Sequence, residues 1–219
     1  MRVALLTLAA IATTAHAAPA PCKGCVLDLP GGNDAVPLVV VLHGDREHAS
    51  AAAARWRAAV AKRGWALLAI ECPADRGCKQ SWWQWDGEPS YVLDQIDAAG
   101  KARAIDPARV YLVGWSGGAS YIGWRAQAWS DRIAAIVIHG GGIPPAGDAC
   151  PAHALPAYFL VGDRNPLHHL AVRLRGFFDG CKQDVTWDLV AGADHGKEET
   201  ALTAKKAAAI LDWLAARRR

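Results

Sequence analysis

Apolar positions in this chain fall into short unbroken runs, and Ala-rich or mixed stretches of helical spacing lie between them. Pro37 to Leu42 is apolar throughout, as expected of a strand buried on both faces of a parallel sheet. Ala51 to Lys62 is Ala-rich and reads as a helix ending at Gly64, with Trp65 to Ile70 as the next buried strand. Residues 72–90 read as a long loop carrying Trp82, Trp83 and Trp85. Ser90 reads as the cap of a helix through Gln95 and Ala99 that Gly100 stops. Val110 to Val113 follows as a strand and Gly117 to Trp129 as a helix. Ile133 to Ile138, Ala157 to Val161 and Val185 to Leu189 are three more strands, with a helix over Leu167 to Phe178 between the last two. A final helix, about Glu199 to Arg217, spaces Thr203, Ala207, Ile210, Leu211 and Leu214 along one face. Strands alternating with helices predict an α/β fold with a mostly parallel sheet.

No repeat or linker divides the 219 residues, which suit one large domain. A net charge of +3 gives no basic excess for nucleic-acid binding. A 52% hydrophobic content excludes general disorder. Arg2, the apolar stretch Val3 to Ala12 and the small-x-small Ala15-His16-Ala17 read as an export signal over residues 1–17. The expected mature domain is then 18–219, secreted or periplasmic and with no membrane span. Cys22, Cys25, Cys72, Cys78, Cys150 and Cys181 all lie in it, and an even count in an exported chain favours disulfides. Proximity along the chain favours Cys22–Cys25 and Cys72–Cys78, which leaves Cys150–Cys181.

The sharpest chemical motif is Gly114-Trp115-Ser116-Gly117-Gly118, with a strand before it and a helix after it. That is the setting of a nucleophile elbow, where small neighbours let strand and helix approach and the hydroxyl stands clear of the sheet. The Gly117 N–H at the helix start is placed to bond a developing oxyanion. Leu42-His43-Gly44-Asp45 ends the first strong strand, and its loop offers a second donor, the Asp45 N–H. The Asp45 carboxylate would repel an oxyanion, so it is expected to point elsewhere or pair with Arg46. His195, between Gly192-Ala193-Asp194 and Gly196 after the last strand, is the expected base, with His139 as its rival. Asp163, just past the strand ending at Val161-Gly162, is the expected acid.

The run Ile105-Asp106-Pro107-Ala108-Arg109-Val110 into the elbow resembles secreted α/β-hydrolase esterases, those related to polyhydroxybutyrate depolymerases, acetylxylan esterases and feruloyl esterases. The His43 and His195 turns match in order and spacing, so the resemblance spans about residues 37–215. It implies the α/β-hydrolase fold and a serine esterase acting on a small or polymeric ester; a monomer is expected. It implies no metal and no organic cofactor. One departure stands out. These hydrolases commonly place the acid as Gly-x-x-Asp-Pro, and here that position is Asn165, a competing partner for His195. The Trp-bearing loop also matches, which makes Trp82, Trp83, Trp85 and, beside the nucleophile, Trp115 candidates for substrate binding. Two rival functions remain at this point: a serine peptidase on the same fold, and a binding protein that keeps the fold without turnover.

Overall fold

A computed structural model describes residues 16, 17 and 19–219 of the protein. The export segment expected over residues 1–17 thus lies outside the described residues, apart from His16 and Ala17. In chain order the elements are β1 (His16–Ala17), β2 (Val26–Leu29), β3 (Val36–Leu42), α1 (Ala49–Lys62), β4 (Ala66–Ile70) and α2 (Ser90–Ala102). Next come β5 (Ile105–Trp115), α3 (Gly117–Trp124), β6 (Ala135–His139), β7 (Ala157–Gly162) and α4 (His168–Gly180). The chain closes with β8 (Val185–Val190), α5 (His195–Ala201) and α6 (Ala204–Ala215). The strands form one sheet in the order β1-β2-β4-β3-β5-β6-β7-β8. Every pairing from β4 across to β8 is parallel, and only the β1–β2 and β2–β4 pairings are antiparallel.

The uninterrupted apolar runs have the cause that their pattern suggested. In β3, Leu38, Val40 and Leu42 face the layer made by α2, α3 and α4, while Val39 and Val41 face α1 and α6. Both sides of the strand are therefore dry, and alternation is absent because neither face meets water. On α1 the buried positions are Ala49, Ala52, Ala53, Trp56 and Val60, the stripe that a helix lays against a sheet. No helix among the described residues is long and apolar enough to cross a membrane.

Several boundaries differ from the sequence expectation. β2 was not anticipated: a four-residue edge strand that pairs antiparallel with β4 carries too short a pattern to read. Ser90 lies inside α2, and Pro89 occupies the cap, which a proline tolerates because the first-turn N–H has no helical partner. α3 ends at Trp124 and is followed by a short 3₁₀ turn at Ala126–Ala128. The expected last helix is two. α5 opens at His195 under the Asp194 side chain, which accepts from the Lys197 N–H, and Thr203 then caps α6 by accepting from Lys206 N–H. The cysteines pair as Cys22–Cys25, Cys72–Cys78 and Cys150–Cys181, and no described cysteine is free.

Candidate active site

The parallel register levels the carboxyl ends of the strands, which is where open α/β sheets place their sites. Leu42 pairs with Gly114, and Trp115 with His139, so the turn after β3 lies beside the elbow after β5. Ser116 holds φ 52° and ψ −113°, a left-handed conformation that a residue with a side chain adopts only under constraint. The constraint is close approach. A Cβ on Gly118 would lie 2.6 Å from the Leu42 carbonyl and 2.7 Å from that of His43. Glycine there lets α3 start directly against the end of β3.

His195 is the first residue of α5, and its Nε2 lies 2.9 Å from Ser116 Oγ. Its Nδ1 lies 3.0 Å from Glu198 Oε2, one helical turn further on. Glu198 is 1% exposed, and its carboxylate is fully engaged. Oε1 accepts the Gly162 N–H at 2.5 Å, and Oε2 accepts Asn165 Nδ2 at 2.6 Å as well as the imidazole. These partners settle the tautomer. The Glu198 carboxylate can only accept, so neutral His195 carries its hydrogen on Nδ1 and donates it there, which leaves Nε2 as an acceptor facing the Ser116 hydroxyl.

Asn165 is correspondingly not the acceptor for His195. Its Oδ1 accepts the Leu167 N–H at 2.9 Å, which turns Nδ2 toward Glu198. Nδ2 also sits 3.1 Å from His195 Nδ1, but both are donors, so that contact carries no hydrogen bond. Asp163 is displaced as well. Its Oδ1 accepts the Gly192 N–H at 2.6 Å on an exposed turn, so it ties the β7 turn to the approach to α5 rather than meeting the imidazole. The carboxylate beside the base therefore comes after the histidine in the chain. Glu198 was missed because the last helix was expected to start at Glu199 and His195 to stand in a loop. The available signal was Asp194 as a cap, which puts residues 195 and 198 on one helix face.

His139, the rival base, is fully buried, and burial pushes its pKa down to about 4. Its Nε2 donates to the Glu198 carbonyl at 2.7 Å, so this neutral ring supports α5 from below.

Trp115 is 6% exposed and stacks on His195, with ring centroids 4.7 Å apart and planes 6° from parallel. Its indole packs flat on the imidazole and is almost wholly covered. Arg55 lies over the same ring at 5.6 Å, and its guanidinium pairs with both Glu47 and Glu199. Glu47 Oε2 in turn accepts the Gly44 N–H at 3.0 Å, so one arginine links the β3 turn to α5. Trp82 and Trp85 are likewise buried, among Tyr91 and Tyr121. Their large apolar rings fill the space under the loop, so two of the loop's three tryptophans are core, and Trp83 at 39% exposure faces solvent.

The β3 turn is held from beneath by His43, whose Nδ1 donates to the Gly44 carbonyl and whose Nε2 accepts the Cys72 N–H at 3.1 Å. Burial lowers the His43 pKa and keeps the ring neutral for this double role. Among the described residues neither the Asp45 N–H nor the Gly117 N–H has a protein partner. Both stand free at the elbow. The Asp45 side chain does not turn away to Arg46: Ser81 Oγ donates to its Oδ1 at 2.8 Å. A cleft of about 690 Å³ opens beside this turn, lined among others by His48, Glu71, Arg76, Gln80 and Tyr91.

Residues 24–165 match the family described as esterase PHB depolymerase, over half of the chain. No curated protein matches the sequence at a significant level. Among solved structures, the fold is similar to a truncated carbohydrate esterase from gut microbiota, with TM-score 0.67 and 14% identity over 94% of this chain and 97% of that one. It is also similar to S-formylglutathione hydrolase from Staphylococcus aureus, with TM-score 0.66 and 10% identity over 92% and 94%. The Bacillus cereus carboxylesterase is a third, with TM-score 0.62 and 17% identity over 84% and 93%.

Proposed function

The chain belongs to the PHB depolymerase esterase family and is a carboxylic ester hydrolase, and we propose that it works through an acyl-enzyme on Ser116. The observation that supports this reading is the continuous line from Ser116 Oγ to His195 Nε2 at 2.9 Å and from His195 Nδ1 to Glu198 Oε2 at 3.0 Å. Ser116 Oγ attacks the ester carbonyl carbon while His195 Nε2 takes its proton. The carbonyl oxygen gains the negative charge and is met by the N–H groups of Gly117 and Asp45. Glu198 stabilises the imidazolium and holds its orientation. The tetrahedral species collapses, the alkoxy bond breaks, and His195 gives its proton to the departing alcohol. Water, deprotonated by His195, then attacks the acyl-enzyme and releases the acid.

Three disulfides suit an oxidising compartment, and we assign the protein to the secreted or periplasmic space on that ground together with the export pattern of residues 1–17. The non-catalytic reading drew on the missing carboxylate at position 165, and Glu198 supplies one. The test is active-site labelling. A fluorophosphonate is expected to modify Ser116 alone, and Ser116→Ala is expected to remove both labelling and turnover of p-nitrophenyl esters while the fold persists. Label on another residue, or turnover retained in the variant, overturns the assignment.

A further inference from the structure

This inference rests on the roles just given to Ser116, Gly117 and the Asp45 N–H, and it concerns the Asp45 side chain. We propose that the Asp45 carboxyl group is a proton-dependent part of the oxyanion site, which favours acyl transfer when neutral and opposes it when ionised.

The group is built into the elbow. A Cβ on Gly117 would lie 2.6 Å from Asp45 Cγ, so the carboxyl packs directly on the residue whose N–H meets the oxyanion. Ser81 Oγ fixes it from the other side at 2.8 Å. The two turns that bring these residues together are tied by Arg46 N–H to the Gln80 carbonyl at 2.7 Å. Arg46 and Gln80 both hold left-handed backbone conformations, φ 63° and 56°, which marks the junction as constrained rather than free to swing. Asp45 forms no ion pair with Arg46.

The groups facing this carboxyl come from four elements. Burial raises its pKa, and that effect prevails over the Ser81 hydroxyl from the loop after β4, His43 at the end of β3, Arg46 beside it and His195 on α5, all of which favour the ionised form. The α3 N-terminus acts in the same direction as those four.

The chemistry follows from charge. During attack a negative charge forms on an oxygen between two N–H groups, one of them the backbone of Asp45 itself. A second negative charge packed beside that oxygen, at the effective dielectric of a half-buried site, slows that step by roughly one to two orders of magnitude. A protonated carboxyl keeps its bond from Ser81 and adds an O–H, and a carboxylic acid kept neutral by its surroundings can donate to an oxyanion. Asp45 is neutral below its pKa and ionised above it. Its contribution therefore falls as pH rises, opposite in sign to that of the general base.

The experiment compares kcat/KM of wild type and Asp45→Asn on p-nitrophenyl acetate from about pH 4 to about pH 9. The asparagine keeps the backbone N–H and an oxygen for Ser81. The ratio of variant to wild type is expected to be lowest at the acid end, rise through a single titration step and level at about tenfold or more in favour of the variant near pH 8. Asp45→Ala, which loses the Ser81 bond, is expected to show the same pH-dependent step at a lower overall level. A ratio independent of pH in both variants overturns the proposal, and so does an Asp45→Asn ratio that stays below one throughout. Faster wild-type turnover of a choline ester than of its neutral isostere, lost in Asp45→Asn, would make the charge a recognition group and also overturn it. Ser116→Ala in the same series separates the two readings. Turnover that survives there removes the nucleophile, whereas a dead Ser116→Ala with a flat Asp45 ratio removes only this proposal.

Discussion

Replacing Glu198 by glutamine changes one atom in the site and reverses its proton logic. The carboxylate accepts from three donors: Gly162 N–H at 2.5 Å, Asn165 Nδ2 at 2.6 Å and His195 Nδ1 at 3.0 Å. A glutamine has one oxygen and one NH₂. If the oxygen stays on the Gly162 N–H, the NH₂ faces two donors. Asn165 cannot turn its oxygen to relieve this without abandoning the Leu167 N–H at 2.9 Å. His195 then adopts the other tautomer, with Nδ1 accepting and Nε2 protonated, and Nε2 can no longer take the Ser116 proton. Loss of the acid partner in a serine triad costs about 10³–10⁴ in kcat, or about 4–5.5 kcal/mol of barrier. Steady-state hydrolysis of p-nitrophenyl butyrate is the assay, with circular dichroism to show that the variant folds. Asp163→Asn is the control, because that side chain meets only the Gly192 N–H on an exposed turn, and its rate is expected within about twofold of wild type. A folded Glu198→Gln within tenfold of wild type, or an Asp163→Asn that loses 10³ or more, refutes the assignment.

Two further outcomes follow from the same structure. Cys150→Ser with Cys181→Ser opens a link across a sequence separation of 31 and is expected to cost about 3–4 kcal/mol of stability, read as a lower Tm, with turnover at 25 °C retained because the link lies away from the elbow. Gly118→Ala drives a methyl to 2.6 Å from the Leu42 carbonyl, so it is expected to lose about 1–3 kcal/mol and most activity together, and an unchanged Tm contradicts the tight junction of α3 with β3.

The legible parts of this molecule were those whose cause is local. β3, β4, β6, β7 and the second half of β5 announced themselves as apolar runs because they are buried on both faces or nearly so, whereas the edge strand β8 is only half-buried and reads as a strand from its short span between turns. Ser116 and His195 were legible because each has small neighbours beside it at a strand end. What stayed hidden depended on contacts between distant segments. Asp163 was weighed as the acid and Asn165 as a competing neutral partner of His195 because both stand near where a strand-end acid is expected, yet the decisive fact is which atoms they meet: Gly192 N–H for one and Glu198 for the other. Glu198 carries no motif of its own in the sequence. It is buried with its carboxylate held by Gly162 N–H on β7 and by Asn165 Nδ2, partners that no local pattern reports. The tryptophans show the same limit. Their position in a loop suggested a surface, and only the packing of Tyr91 and Tyr121 shows that Trp82 and Trp85 are interior.

Placing His195 and Glu198 on the single short helix α5 changes how the site assembles and how it fails. Their relative position is set by one turn of backbone, so it is correct as soon as α5 forms. Bringing His195 to Ser116 takes one distant match, across a separation of 79 residues, and Gly162 and Asn165 then fix the Glu198 carboxylate already placed beside the imidazole. An acid on the β7 turn would have required a second, with its own cost in chain entropy. The same economy couples the two groups in local opening. If α5 frays from Asp194 inward, both leave Ser116 together, and no half-assembled state with a base but no acid is populated. Hydrogen exchange at the amides of α5 and thermal loss of turnover should therefore follow one opening equilibrium, well before the sheet itself gives way.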